Sequence, residues 1–374
     1  APATSNHIVH LVSSPDQSDI LTYHKADVPE PSGPTMDLTA TNIVIATGAK
    51  PRPLPGNPFA GALIDSTQAL EVNEFPSSAV IIGAGAIALE FASMWNAAGS
   101  KVTLLIRKDR VLSAWDRRAG TTLTRELKRH GVNIITRASV THVDTGANLG
   151  ATVHYTCEGQ DGEQSVWGEI ALVAIGRDPI TDPAWGVTID DHGHVATGAY
   201  GRTDKPGVWA VGDVTAGHAL AHRAFEQGIV IAETIAGLNP KPVDEATVPQ
   251  IVFSFPEAAS VGLTVEQAQA REDLIEIKET NYPMLANARM LMSGTAGSLT
   301  IVSGCDAANP DTPRVLGVHM VSQMASDIIA EAEQLVGNHV PLADAARLVH
   351  PHPTFSETLG EALLKADGRP LHTR

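Results

Sequence analysis

The chain has 374 residues, too many for one ordinary core, with 43% hydrophobic and 18% charged residues, an ordinary globular balance. Its 26 basic against 42 acidic residues leave a formal net charge of −16, which argues against a nucleic-acid partner. No stretch is long and apolar enough to span a bilayer, Ala1 to His10 lack the regions of a secretory signal, and Cys157 and Cys305 form neither a disulfide framework nor a metal signature. The expected protein is therefore cytoplasmic, with no membrane partner and no metal site.

In chain order, Ile8-Val9-His10-Leu11-Val12 reads as part of an edge hairpin, followed by a polar, Pro-rich loop through Pro34. Asn42 to Gly48 is a short apolar strand ending in small residues. A βαβ unit starts at Ser78, with a strand over Ala79–Ile82, a turn over Gly83–Ala88, a helix from Leu89 to Ala98, and a strand over Val102–Ile106. The helix Arg117–His130 and strand Val132–Ile135 continue an alternation that favours a parallel sheet. Further strands are expected between 138 and 176. A strand over Gly207–Val211 precedes Gly212-Asp213, and a helix runs from Leu220 to Ala236. Beyond Thr247, strands near 250–254, 298–302 and 315–320 and helices near 264–270, 324–337 and 342–348 suggest an α+β domain.

Gly83-x-Gly85-x-x-Ala88 is the most specific local motif. The first glycine permits the tight turn, the second lets a pyrophosphate approach the backbone, and the small third residue lets the helix pack on the sheet. Beyond the next strand stand Arg107, Lys108, Asp109 and Arg110, with no acid at the strand end. Three cations there favour the 2′-phosphate of NADP(H), against the alternative of a solvated charged turn. Gly212-Asp213 reads equally as a sugar-binding pair or an ordinary turn. The helix start at Leu220, Ala221 and His222 would aim free N–H groups at an anion or a reduced flavin. In His350-Pro351-His352-Pro353-Thr354-Phe355-Ser356-Glu357, a histidine beside a carboxylate is a candidate acid–base couple. Thr354-x-x-Glu357 is equally a capping box.

These pieces, in this order, resemble the class I pyridine nucleotide-disulfide oxidoreductases. Ala46-Thr47-Gly48 resembles the family's flavin-domain strand end, Ala174-Ile175-Gly176-Arg177 the exit of its nicotinamide domain, and Ala210-Val211-Gly212-Asp213 its second FAD motif. Phe255 to Gly262 resembles the opening of its interface domain, and His350 to Glu357 its catalytic histidine segment. Three further stretches are most similar to the dihydrolipoamide dehydrogenase branch: Leu220-Ala221-His222, Tyr282 to Arg289, and Glu361 to Arg369. The nucleotide turn with Ile106-Arg107-Lys108 instead resembles the NADPH-using glutathione reductase branch.

The resemblance implies an α/β protein with a Rossmann-like NAD(P) domain inserted in a partial FAD domain, plus a C-terminal α+β dimerisation domain. The implied boundaries are residues 1–72 (remnant of the FAD domain), 73–178 (NAD(P) domain), 179–245 (second part of the FAD domain) and 246–374 (dimerisation domain). It implies FAD and NADP(H) or NAD(H) as cofactors, a homodimer, and a small dithiol or disulfide or a lipoyl domain as substrate. By the same resemblance His352 is the base for a thiol proton, Glu357 orients it, and Glu90 approaches nicotinamide and flavin. Family members carry a first glycine fingerprint and a C-x4-C disulfide that have no counterpart here. The expectation is a truncated form that cannot turn over a dithiol alone. A non-catalytic nucleotide-binding dimerisation fragment and an NADPH-dependent small-disulfide reductase are the alternatives.

Overall fold

The computed structural model describes residues 40–145 and 150–373; the expected hairpin at 8–12 lies outside them. In chain order the strands are β1 (Ile43–Ile45), β2 (Ala49–Pro51), β3 (Leu63–Ile64), β4 (Ser78–Ile82), β5 (Lys101–Leu105), β6 (Asn133–Ile135), β7 (Ala138–Asp144), β8 (Ala151–Cys157), β9 (Gln164–Gly168) and β10 (Ile170–Val173), followed by β11 (Arg177–Pro179), β12 (Val208–Ala210), β13 (Gln250–Val252), β14 (Glu257–Gly262), β15 (Leu274–Pro283), β16 (Ser298–Asp306) and β17 (Asn309–Ser322). The helices are α1 (Ser66–Leu70), α2 (Ala86–Ala97), α3 (Arg117–Arg129), α4 (Ala221–Ile235), α5 (Val265–Gln269), α6 (Ala288–Ser293), α7 (Ala325–Gly337), α8 (Leu342–Ala345) and α9 (Glu357–Ala366).

The chain divides into two compact units. Among the described residues, one joins residues 40–50 with Arg177–Glu245. Here β1 and β12 pair in parallel, Ile43 beside Val208 and Ile45 beside Ala210. Their inward side chains pack with Trp185, Val195 and Val214. Parallel pairing puts both carboxyl ends on the same edge, and the N–H of Val211 donates to the carbonyl of Ile45 (3.0 Å). In open α/β sheets that edge is where ligands bind.

The other unit, Pro51–Gly176 with Ala246 onward, holds two five-stranded sheets. The first, in the order β3-β10-β4-β5-β6, is parallel throughout. Both faces must then be covered, and its strands are near-continuous apolar runs such as Ala79-Val80-Ile81-Ile82. Helix α2 buries Ala88, Leu89, Phe91, Ala92 and Trp95, the spacing of one helical face. Each fully buried side chain of the size of Leu89 contributes about 1.5–3 kcal/mol. The helix begins at Ala86, three residues before the expected start, because Gly85 already has the extended backbone of an N-cap. Gly99, at φ +97°, follows its C-terminal end.

The second sheet, β13-β14-β17-β16-β15, is antiparallel and packs α7, α8 and α9 around Tyr282, Leu299, Val318, Ile329 and Leu359. Three of its elements had no expected counterpart: β14, β15 and α6. Strand β14 is Glu-Ala-Ala-Ser-Val-Gly, a poor β-former that is held by pairing on both sides. In β15 a register shift between Ile275 and Lys278, with Glu276 at φ +53°, breaks the alternation a sequence reading needs. Helix α6 is one short turn capped by Asn287.

Candidate active site

At the glycine turn, Gly83 closes β4 with φ +146°, and a Cβ there would stand 2.2 Å from the carbonyl oxygen of Ala174. Only glycine fits, because β10 passes directly alongside. Ala88 is fully buried and would lie 3.3 Å from that same Cβ, so a small residue is needed there too. Gly85 differs: a Cβ built on it meets nothing within 4 Å, and no side chain caps the helix it starts. No N-cap side chain therefore claims the first N–H groups of α2, which begins at the carboxyl edge of the sheet beside the exposed Gly85, an arrangement suited to a pyrophosphate.

Arg107 and Lys108 are exposed beyond β5 and form no ion pair among the described residues. Arg110, expected as a third available cation, is instead engaged. It pairs with Asp109 (3.1 Å), donates to the carbonyl of Ser113 (3.2 Å), and its side chain is only 15% exposed. Glu90 accepts the N–H of Phe253 (3.0 Å) and Ser93 that of Phe255 (3.1 Å), tying α2 to the segment after β13.

In the other unit, Ala46, Thr47 and Gly48 leave β1 beside Gly212 and Asp213, which leave β12. The hydroxyl of Thr47 donates to the carbonyl of Ile180 (2.6 Å). Gly48 (φ +71°) and Gly212 (φ +77°) take backbone shapes that favour glycine. Arg177 donates to the carbonyl of Ala49 and lies 4.0 Å from the carboxylate of Asp213. Leu220 precedes α4 with no side-chain cap, so Ala221 and His222 open a helix whose first N–H groups no side chain at the N-cap has claimed. Arg223, which sequence reasoning passed over, is buried. It bonds Glu245 (2.5 Å), Thr215 (3.3 Å) and the carbonyl of Ala216 (2.5 Å), fixing the loop after Asp213.

Near the C-terminus, Nδ1 of His352 lies 2.8 Å from Oε1 and 3.1 Å from Oε2 of Glu357. The capping box is half made. The hydroxyl of Thr354 accepts the N–H of Glu357 (3.3 Å), but the Glu357 carboxylate turns to His352 instead of the helix start. With Nδ1–H donated to the carboxylate, Nε2 keeps its lone pair, and the ring is 65% exposed. His350 is its opposite. Only 9% of its side chain is exposed, its Nε2 meets Glu331 on α7 (2.9 Å), and that bond raises its pKa above the ordinary histidine value. Its ring lies so close to α9 that a Cβ at Gly360 would meet its Nδ1 at 2.4 Å.

One further residue supports the pair. Asn287 caps α6 through its Oδ1 (3.0 Å to Met290 N) and donates from Nδ2 to the carbonyl of Thr354 (3.2 Å) and to Glu357 (3.4 Å). Tyr282 is fully buried and its hydroxyl pKa is pushed up by burial and by Glu361 and Glu357. The Asn287 signal was in the sequence, as an Asn before a short apolar helix, but nothing in the sequence pointed it at Glu357. A cleft of about 610 Å³ between α3 and the second sheet is lined by Arg117, Arg118, Arg125, Glu266 and Glu279, and none of the residues above borders it.

Residues 7–228 match the family model of the pyridine nucleotide-disulphide oxidoreductases, and residues 248–363 match that family's dimerisation domain. The chain is 37% identical to a dihydrolipoyl dehydrogenase of Cupriavidus necator over 341 residues, 90% of this chain and 70% of the relative. It is 36% identical to one of Bacillus subtilis over the same shares of each chain. Among solved structures, LpdA of Mycobacterium tuberculosis superposes with a TM-score of 0.76 at 27% identity, covering 87% of this chain and 69% of that one. The flavoprotein disulfide reductase RclA of Escherichia coli gives 0.75 at 26% identity, covering 86% and 73%.

The chain belongs to the pyridine nucleotide-disulphide oxidoreductases, enzymes that pass electrons between NAD(P)(H) and a disulfide by way of FAD. Within that family its likeness runs to the dihydrolipoyl dehydrogenases, as the motifs implied. It carries the domain through which such proteins form homodimers. No helix among the described residues is long and apolar enough to cross a membrane.

Proposed function

We propose that this chain serves a dihydrolipoyl dehydrogenase-type reaction, with dihydrolipoamide, free or on a lipoyl domain, as the thiol substrate and NADP(H) as the favoured nucleotide. FAD, when bound, supplies two-electron exchange between nicotinamide and thiol. Ala46–Gly48, Gly212, Asp213 and the α4 start at Leu220, Ala221 and His222 would hold it, with Arg177 fixing Asp213. The N–H groups after Gly85 would receive the nucleotide pyrophosphate, with Ala88 keeping α2 close to the sheet. Arg107 and Lys108 would pair with a 2′-phosphate. Gly176 lets the chain leave the nucleotide sheet, and Glu90 sits on the helix that follows the turn.

The observation that carries the reading is the His352–Glu357 pair. Glu357 holds Nδ1–H, so Nε2 is the atom that accepts the thiol proton, and Asn287 keeps the carboxylate in place. Acting from the dimerisation domain, His352 would serve the partner subunit's thiols. The buried free thiols of Cys157 and Cys305 suit a reducing cytoplasm. A small-disulfide reductase of the glutathione reductase kind is the second reading, favoured by the cations at Arg107 and Lys108.

The test assays the homodimeric holoenzyme with dihydrolipoamide, an isolated lipoyl domain and glutathione disulfide, each with NAD(H) and NADP(H). Dihydrolipoamide turnover that collapses in His352→Gln supports the first reading. Turnover with glutathione disulfide and NADPH alone supports the second and overturns the first.

A further inference from the structure

The inserted sheet of β7, β8 and β9 carries a histidine cluster that the reaction does not use. Its inner face, Val140, Val143, Val153, Tyr155 and Val166, packs into the core below the nucleotide sheet. Its outer face gathers His142, Asp144, His154 and Glu163. A register shift between Val140 and His142 produces this grouping. Val140 opposes Tyr155 and His142 opposes His154, so Thr141 is the extra residue of a bulge. Without it Thr141 would face His154 and the two imidazoles would lie on opposite faces.

The ring edges are sorted by partner. Both Nε2 atoms face Asp144, whose Oδ2 is 3.1 Å from His154 and 3.9 Å from His142. Both Nδ1 atoms face Glu163, at 3.7 Å from His154 and 3.8 Å from His142. The rings stack with centroids 4.0 Å apart and planes 9° from parallel. The hydroxyl of Thr141 donates to Glu163 (2.7 Å) and so fixes that carboxylate. One ligand atom from each of His142, Asp144 and His154 lies within 4.8 Å of the others, and no other such group is found among the described residues.

We propose that His142, His154 and Asp144 form a binding site for a divalent transition ion of the nickel, copper or zinc type, with Glu163 as the outer carboxylate. Two imidazoles and one carboxylate suit these ions; binding would open the stack of the two rings, so that both Nε2 lone pairs turn from parallel toward one ion about 2.0–2.1 Å from each. Glu163 stands where an outer carboxylate accepts Nδ1–H, which selects the tautomer that leaves Nε2 as the ligand. The open fourth position faces solvent, since His142 and Asp144 are exposed. The ion would pin β7 to β8 across one strand pair. No such site was expected from the sequence, where only the two cysteines were weighed for a metal signature, because its ligands come from two strands joined only by register.

The test titrates the full chain with zinc sulfate by calorimetry and repeats the titration with nickel chloride. The wild type should bind one equivalent of zinc that His142→Gln/His154→Gln loses. Glu163→Gln should weaken it about 10–100-fold and Asp144→Asn at least tenfold. Fifteen histidines are present, so the loss of one equivalent in the double variant is the deciding quantity. Excess zinc should also raise the melting temperature of the wild type and leave that of the double variant unmoved. Far-ultraviolet circular dichroism confirms that each variant is folded. Absence of a one-equivalent site in the wild type, or an unchanged site in the folded double variant, overturns the proposal.

Discussion

Nδ1 of His352 meets both carboxylate oxygens of Glu357, at 2.8 and 3.1 Å, from a ring otherwise open to solvent. That relationship is what the proposed proton-handling role of the pair rests on, and it sets the first expectation. In the holoenzyme, His352→Gln should lower the rate of dihydrolipoamide oxidation about 10²–10⁴-fold. Glu357→Gln should cost less and alter the pH profile of kcat, because the amide can still meet the ring but no longer selects its tautomer. Asn287→Ala should follow Glu357→Gln in direction with a smaller loss. If Glu357→Gln lowers the melting temperature and leaves the rate untouched, the carboxylate is only structural.

The two glycines of the nucleotide turn should respond oppositely to one added methyl group. Gly83→Ala places a Cβ 2.2 Å from the Ala174 carbonyl at φ +146°, so it should destabilise the fold by several kcal/mol. Gly85→Ala meets no protein atom within 4 Å and should leave the melting temperature within about 2–4 °C of wild type. It should nevertheless weaken nucleotide binding, since the methyl group occupies the approach of the pyrophosphate. Thermal melts paired with nucleotide titrations of both variants check this. Equal destabilisation by the two would count against the reading of Gly85.

Arg107 and Lys108 should make the chain bind NADPH more tightly than NADH. A charge-assisted hydrogen bond contributes about 1.5–3 kcal/mol, so Arg107→Glu should weaken NADPH roughly 10- to 100-fold and leave NADH little changed. Fluorescence titration with both nucleotides measures it. A wild type that prefers NADH overturns the assignment.

Two buried histidines should give opposite pH dependences of stability. The bond from Glu331 raises the pKa of His350 above its ordinary 6.5. Its contribution is fully present below pH 6.5 and fades as pH rises through the raised value. His350→Gln should therefore lower the melting temperature most in mildly acid solution, with the gap to wild type narrowing in alkali. His319 is fully buried between the hydroxyl of Ser260 (2.7 Å) and the carbonyl of Leu263 (3.0 Å), and burial lowers its pKa below 6.5. The unfolded chain takes up that proton first, so stability falls as pH drops below 6.5. His319→Gln should blunt that fall. Melting curves from pH 5 to 9 test both signs, and a His350→Gln gap that widens with pH contradicts the first.

The sequence by itself determined what depends on neighbours along the chain. The apolar run Ala79–Ile82, the glycines that follow it and the amphipathic helix after them are local signals, because a strand, a turn and a helix each satisfy their own backbone. The same holds for Arg117–Arg129, expected to end one residue later, and for Ala221–Ile235, expected one residue longer at each end. Motif order was enough to reach the family. Tertiary structure decided everything that needs two distant segments to meet. Strand β14 exists because β13 and β17 hold it. Arg110 is taken out of the cation cluster by Asp109 and Ser113, and Glu357 is kept off the helix start by His352 and Asn287. His350 and His352 are two residues apart and chemically identical in the sequence. Only the packing of α7 and α9 sends one inward to Glu331 and leaves the other open on Glu357. A side chain's chemistry is written in its type, but its pKa, its exposed nitrogen and its partner follow from where the chain brings other charges within hydrogen-bond reach.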